Sequence, residues 1–172
     1  MTRLVVALAI AALAAGCGFI GSESEDMDEK LATLAQRPTI EDIRVTYEEM
    51  QARLRDRLST EVGPLHWVNR KNFSGAGCAD FPNVGGQSLT LDGWMSEGNL
   101  TDTRWADAVR VVAEVTGEYG FGTPRVVVDR PSDHEITATD QYGGHYLFGT
   151  AANTVLLVST GCHLPATAHP GA

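Results

Sequence analysis

The chain has 172 residues, of which 43% are hydrophobic and 20% are charged. These proportions are those of an ordinary globular protein, and the length fits one domain with short extensions. The 22 acidic and 13 basic side chains give a formal net charge of -9. An acidic surface cannot make the phosphate contacts on which nucleic-acid binding depends, so nucleic acid is excluded as a partner.

The N-terminus resembles the signal peptide of a bacterial lipoprotein. Arg3 precedes an apolar run from Leu4 to Ala15, which is typical of a signal-peptide core and marginal for a membrane span. Small residues then lead directly to Cys17, as in a lipobox. The lipobox resemblance implies a signal peptide of residues 1–16, cleavage after Gly16 and a diacylglyceryl thioether on Cys17. The alternative is an ordinary signal peptide or an uncleaved anchor, in which Cys17 has no such role.

Residues 17–37 are expected to be an acylated N-terminus followed by an acidic tether. The stretch from Ser22 to Lys30 carries five acidic side chains and one lysine. Blocks of this kind are normally solvated and weakly structured. We therefore expect a single folded domain over residues 38–165 and a flexible tail over residues 166–172.

Two amphipathic helices are predicted within the domain. Thr39 is a suitable N-cap, and apolar residues then recur every three or four positions from Ile40 to Val62. The second helix is predicted to begin after Thr101 and to end at Gly120, a residue type favoured just past a helix end. Trp105 is predicted to be buried under its first turn, as part of a hydrophobic staple.

The remaining segments predict β-strands. Residues 65–69 and 88–95 have strand patterns, with turn-rich stretches between them. The last third contains four β-like runs, RVVVD, HEITATD, HYLFGT and NTVLLVST. Their short links suit antiparallel hairpins, and the last run is apolar enough for a central strand. The predicted fold is therefore α+β, an antiparallel sheet with two main helices packed on one face.

No motif for metal binding or for a cofactor is present. The histidines form no HExxH motif and the cysteines form no CxxC pair. His134 stands between Asp133 and Glu135, but neighbours on a strand point to opposite faces, so adjacency works against joint ligation. We expect no metal and no cofactor.

Two groupings could still carry out hydrolysis. A reduced Cys78 with His134 or His145 would form a thiol-peptidase pair, provided that the thiolate lies near the imidazole. Paired carboxylates could act as in a glycosidase. The candidates for those carboxylates are Asp129, Glu135 and Asp140.

Five stretches in a specific order carry a resemblance to a known family. They are RPTIEDIRVTYEEMQARLRDRL, GNLTDTRW, EYGF, VVVDRP with His134 and Glu135 just after it, and TGCHLP. In these stretches the chain resembles the LppA-type lipoproteins of mycobacteria, over about residues 37–165. The resemblance implies a surface lipoprotein without an established activity, and it supplies no catalytic residues.

The three cysteines can be assigned together. If Cys17 carries lipid, Cys78 and Cys162 remain, and the lipobox places them outside the cytoplasm, where disulfides persist. We predict that these two residues form a disulfide. Each follows a glycine, which lets the backbone bend to meet the geometry of the bond. A zinc site or a catalytic thiolate would instead require reduced sulfurs.

The sequence therefore predicts a lipoprotein held to the cell membrane by acyl chains such as palmitate, with its domain facing the extracytoplasmic side. Its folded domain is expected to bind an envelope protein or ligand without catalysing a reaction. The alternative function is that of a cell-wall hydrolase, in which Cys78 and a histidine act as a thiol peptidase.

Overall fold

The computed structural model describes residues 21–170, and the predicted signal peptide and Cys17 lie outside them. The described chain contains three α-helices, eight β-strands and a short 3-10 helix at Ala166–Ala168. The α-helices are α1 (Gly21–Leu34), α2 (Ile40–Glu61) and α3 (Asp102–Glu118). The strands are β1 (Trp67–Asn69), β2 (Ser74–Gly77), β3 (Gln87–Thr90), β4 (Trp94–Glu97), β5 (Arg125–Arg130), β6 (Asp133–Thr139), β7 (His145–Thr150) and β8 (Asn153–Ser159).

The strands form one antiparallel sheet in the order β1-β4-β8-β7-β6-β5. Strand β3 joins it at the end of β8, where Thr90 lies opposite Ser159, and β2 pairs with β3. Strand β8 therefore lies in the interior of the sheet, as its apolar run predicts. The consecutive hairpins from β5 to β8 follow from their short connecting turns.

Helices α2 and α3 pack on one face of this sheet and enclose the main core. Each contributes the apolar stripe that its spacing predicts, and the facing positions of β6, β7 and β8 complete the cluster. The predicted α+β fold, with two main helices on one face, is confirmed. Fully buried members of the core include Tyr47, Met50, Leu54, Leu58, Val111, Val112, Val115, Tyr146, Phe148 and Leu156.

The helix ends follow the predicted capping residues with one difference. The Thr39 hydroxyl accepts a hydrogen bond from the Asp42 backbone N–H at 3.1 Å, so Thr39 caps α2. Gly120 has a φ of 85°, and the Phe121 N–H donates to the Thr116 carbonyl at 3.2 Å, a glycine-dependent helix stop. Thr101 occupies the N-cap position of α3 but makes no capping hydrogen bond with its side chain.

The strand predicted over residues 88–95 is interrupted in the structure. It divides into β3 and β4, and the register against β8 shifts by one residue between the Thr90–Ser159 and Trp94–Leu156 pairs. Gly93 lies at the interruption, where a Cβ atom would stand 2.5 Å from Leu157 Cδ2. This close approach of a neighbouring side chain is invisible in the local hydrophobic pattern.

The predicted tether and tail contain α1 and the 3-10 helix, respectively. Residues 21–34 form α1, in which Lys30 pairs with Asp26 one turn earlier at 2.6 Å. Its last residue, Leu34, is fully buried beside Cys162 and Leu164. Acidic side chains near a helix N-terminus also favour the helix through its dipole. After the 3-10 helix, His169 Nε2 lies 2.9 Å from the Arg37 carbonyl oxygen, so the tail packs against the start of the domain.

Candidate functional site on the open face of the sheet

The face of the sheet opposite α2 and α3 is uncovered by the other described residues. Along β7 and β8, every second side chain enters the core, and the residues between them point to the other face. Leu147 and Leu157 are two of these outward residues, and they lie directly opposite each other in the β7–β8 register. Leu157 is 37% exposed, although it lies on a central strand. We refer to this surface as the open face.

The open face carries a groove with an apolar floor and a volume of about 260 Å³. Three aliphatic side chains, Val127, Leu147 and Leu157, supply the floor. Val127 lies at an irregularity in the β5–β6 register and is 45% exposed. The remaining five lining residues are polar. They are Thr90, Glu135, Thr137, His145 and Ser159.

The groove combines exposed apolar side chains with a polar rim. Contiguous exposed apolar residues with a polar rim mark interaction sites, because binding a partner removes their apolar surface from water, which is favourable. Val68, on edge strand β1, is 53% exposed, and its partner in the register is Met95 of β4. The apolar character therefore extends from β5 to the other edge of the sheet.

This surface was absent from the sequence-based site prediction, although a signal for it exists. The runs in β7 and β8, HYLFGT and NTVLLVS, have apolar residues at consecutive positions. A strand with one wet face would alternate apolar and polar residues instead. The run in β8 was interpreted as that of a central strand, which it is in the structure, but its uncovered second face was not predicted.

His134 lies between two carboxylates at the start of α3. Its Nδ1 is 2.9 Å from Asp129 Oδ1, and its Nε2 is 3.1 Å from Asp102 Oδ1. Ionised carboxylates only accept, so both contacts are hydrogen bonds together only when both ring nitrogens carry protons. The Ser132 backbone N–H and His134 both hydrogen-bond to Asp102 and hold the pKa of that carboxyl below its usual value. Both adjacent acids point elsewhere, since Asp133 pairs with Arg130 and Glu135 lines the groove.

Trp105 connects this histidine to the core. Its indole ring stacks on the His134 ring at 5.1 Å between centroids and on the Phe148 ring at 5.4 Å. Trp105 is half-buried rather than fully buried, because its outer part covers the His134 side chain at the surface. With both nitrogens engaged and one face covered, His134 fastens α3 to the β5–β6 turn and has no free position for a substrate.

The three acids proposed as paired carboxylates do not converge. Asp129 contacts His134 on the helix side of the sheet, whereas Glu135 lines the groove on the open face. Asp140 accepts hydrogen bonds from the Tyr47 hydroxyl and from the backbone N–H groups of Tyr142 and Gly144. Its carboxylate is therefore used to fix the β6–β7 turn.

Cys78 and Cys162 are joined in the structure, with 2.10 Å between their sulfurs and 5.9 Å between their Cα atoms. An oxidised Cys78 has no thiol to pair with His134 or His145, so the proposed thiol-peptidase pair is not assembled. The bond lies in a small second cluster of apolar residues, apart from the main core. That cluster contains Leu34, Cys78, Phe81, Val84, Cys162 and Leu164.

Residues 21–170 offer no evident place for a metal ion. Within that range, no three histidine, cysteine, aspartate or glutamate side chains are grouped as metal ligands would be. A search of the same residues for membrane spans finds no helix with the length and hydropathy to cross a bilayer.

Comparison with known proteins places this fold among lipoproteins. A family model described as "LppA: Lipoprotein confined to pathogenic Mycobacterium" matches residues 21–166. The crystal structure of LppA from Mycobacterium tuberculosis is similar, with a TM-score of 0.74 and 12% identity over 87% of this chain and 91% of that one. A DUF4853 family protein from Actinomyces odontolyticus ATCC 17982 has a TM-score of 0.54 and 18% identity, over 76% of this chain and 71% of that chain. At these identities the structural matches show the fold alone. No curated protein sequence matches the chain.

Proposed function

Because the chain belongs to the LppA family of lipoproteins, we propose that acyl chains on Cys17 anchor it in the cell membrane and that its open face binds an envelope protein. The domain then acts by contact and not by catalysis. The observation that carries the binding proposal is the exposed apolar groove across β5, β6, β7 and β8. The membership in a lipoprotein family supports the anchor.

An acyl anchor fits the charge of the chain. A net charge of -9 is repelled by anionic lipid headgroups, so a basic patch cannot hold this protein on a membrane. Acyl chains contribute about 0.8 kcal/mol per buried CH₂ group, and two or three chains anchor stably where one is marginal. A modified Cys17 at the end of the signal peptide supplies such chains and places the domain on the extracytoplasmic side.

Replacement of Cys17 by alanine should abolish the anchor. In mycobacterial cells grown with a labelled fatty acid, the Cys17→Ala chain should carry no label and should keep its uncleaved N-terminus, because no thioether can form. Labelling of the immunoprecipitated protein and its intact mass measure both effects. A Cys162→Ala chain is the matched control and should be labelled like wild type. Persistent acylation of Cys17→Ala would refute the anchor at this residue.

The open face suits a protein partner better than a small polar substrate. Two of the polar groups that could activate a substrate, His134 and Asp140, are engaged in structural contacts. The groove floor instead presents Leu147 and Leu157 beside each other across two strands. Apolar side chains of a partner placed on this floor would remove both leucines from water, which favours association by about 25 cal/mol per Å² of apolar area.

A site-specific crosslinking experiment tests this surface. A photoreactive amino acid at Leu157 should give a discrete crosslinked protein in intact cells, because the proposed partner covers this position. The matched control places the same group at Val45, an aliphatic residue of α2 that is 63% exposed. Adding Leu147→Asp should remove the Leu157 adduct, because it puts a charge on the groove floor.

The outcomes distinguish specific binding at this surface from non-specific association. Thermal unfolding of Leu147→Asp must first show a folded protein, so that loss of the adduct reports on the surface. The same adducts from Val45 and Leu157 would indicate non-specific proximity. Adducts to lipid alone, or an adduct unaffected by Leu147→Asp, would refute the open face as a protein-binding site.

A further inference from the structure

A buried histidine lies where the α1–α2 link meets the segment that follows β8. His163 is 0% exposed, and its Nδ1 lies 2.9 Å from the Pro38 carbonyl oxygen. A carbonyl only accepts, so Nδ1 carries the proton, and a neutral ring has a bare lone pair at Nε2. Nε2 has no hydrogen-bond partner among the described residues. A second proton would therefore enter a buried position that offers it no acceptor.

The contacts around His163 hold α1 to the domain. The Arg37 guanidinium donates to the carbonyl oxygens of Cys162 at 2.8 Å and Tyr142 at 3.2 Å. The Ile40 backbone N–H donates to the Leu164 carbonyl at 2.9 Å. Residues 35–40 and the segment 162–169 are thus joined by several hydrogen bonds, and His163 lies in the middle of them. We refer to this set of contacts as the α1 latch.

The charged surroundings oppose a second positive charge in the latch. Arg37 is the nearest cation, and it is held in place by its two carbonyl partners. Asp140 attracts a proton to His163, but its oxygens already accept from Tyr47 and from two backbone N–H groups. The remaining titratable groups around the latch lie on other elements. They are Tyr142, whose ring is nearly perpendicular to the His163 ring at 5.3 Å between centroids, Glu41, which accepts from the Ala166 N–H, and His169, which contacts the Arg37 carbonyl.

We propose that His163 makes the α1 latch acid-sensitive: when His163 gains a second proton, the link at residues 35–38 separates from the segment 164–169, and α1 detaches from the domain. The sheet and its two covering helices stay folded, because their core does not include His163. The disulfide at Cys162 and the paired backbone hydrogen bonds between His163 and Gln87 of β3 keep the start of the segment after β8 on the sheet, so the opening is confined to α1, its link to α2 and residues 164–169.

The direction of the pH effect follows from the burial of the ring. Burial lowers the pKa of His163 below its ordinary value of 6.5, so the folded latch prefers the neutral ring. The contribution to stability is fully present above the unfolded-state pKa, and it is lost as the pH falls from that value toward the lower folded-state pKa. The opening equilibrium of the latch should then rise by up to about tenfold for each pH unit in that range.

Hydrogen exchange of the full chain in detergent tests the latch. Exchange is compared at about pH 7.5 and about pH 5, after correction for the intrinsic rates, across the range where an ordinary histidine titrates. Peptides covering α1 and residues 164–169 should lose protection at the lower pH, whereas β6, β7 and β8 should keep theirs. The His163→Asn chain keeps a donor where Nδ1 stands but cannot gain a charge, so its protection should not depend on pH.

Controls separate His163 from the other histidines. His66 is an exposed histidine outside the latch, so His66→Asn should retain the acid response. His169→Gln keeps a donor for the Arg37 carbonyl and should retain the acid response as well. An acid response that persists in His163→Asn, or one that spreads equally to β6–β8, would overturn the proposal. Should that variant fail to fold, the NMR titration of the His163 ring decides. A midpoint below those of His66 and His145 supports the latch, and a midpoint equal to theirs overturns it.

Discussion

Replacing Cys78 and Cys162 together by alanine is expected to lower the free energy of unfolding by about 2–4 kcal/mol. The bond joins residues separated by 84 positions, so its main effect is to limit the conformations of the unfolded chain. The substitutions change the free energy of the native state less than that of the unfolded state, because alanine leaves the surrounding apolar residues in place. The loss should therefore appear as a lower denaturant midpoint of a chain that still folds.

The measurement is urea unfolding followed by tryptophan fluorescence. The matched control is the wild-type chain in a reducing agent, which should unfold at nearly the midpoint of the double variant. Reduced protein with an unchanged midpoint would show that the bond is absent in solution or without effect. Gly86 packs directly against this bond, since a Cβ there would lie 2.5 Å from Cys162 Sγ and 2.9 Å from Leu34 Cδ1.

Gly161→Ala is expected to cost about 3 kcal/mol or more, the upper end for overpacked sites. A Cβ at Gly161 would overlap the Tyr142 carbonyl oxygen and would lie 2.6 Å from the Tyr142 carbonyl carbon and 3.1 Å from the Gly144 nitrogen. All of these are backbone atoms of the β6–β7 turn, so no side-chain rotation relieves the overlap. The turn must move away from the segment after β8, and Tyr142 then loses its contact with Arg37.

Gly77→Ala is the matched control, because Gly77 also precedes a cysteine of the disulfide. A Cβ at Gly77 meets no atom within 4 Å. Alanine there should shift the urea midpoint very little. Equal effects of the two substitutions would mean that glycine is needed at both positions for the disulfide itself, and would contradict the steric explanation.

These two glycines illustrate the limit of sequence reasoning in this chain. Their position before the cysteines was interpreted as freedom for the backbone to meet the disulfide geometry. The structure gives Gly161 a different reason, the β6–β7 turn that lies against it, and gives Gly77 none. Which backbone lies against a glycine depends on segments far away in the chain, and no local pattern contains that information.

The elements that could be predicted are those whose signals are local. Apolar spacing identifies α2 and α3, and the turn residues between β-branched runs identify the hairpins from β5 to β8. Helix α1 has only a weak local signal, because the spacing of Met27, Leu31 and Leu34 allows a short helix while the acidic composition indicates a solvated segment; burial of Leu34 against the second cluster depends on tertiary contacts. The division of the 88–95 segment likewise follows from Leu157 and Asn72 crowding Gly93.

The candidate site shows the same division between local and distant information. Counting cysteines predicts the pairing of Cys78 with Cys162, because the lipobox assigns a separate role to Cys17. The open face instead follows from the placement of the helices, which is a tertiary feature. Both α2 and α3 cover the same side, so the outward residues of β7 and β8 stay uncovered. One of the two partners of His134 is also distant in sequence, as Asp102 belongs to α3.

The α1 latch gives the molecule two opposite poles. The link before α2, the segment after β8 and the β6–β7 turn all meet at one pole, where Arg37 contacts Tyr142 and Cys162. Strand β6 runs away from that turn for 7 residues, or about 20 Å at the usual rise of a strand. The exposed Ala151-Ala152 turn therefore lies at the far pole. A tag attached after His169 would stand beside α1, whereas a tag inserted between these two alanines would stand at the opposite end of the domain, clear of α1.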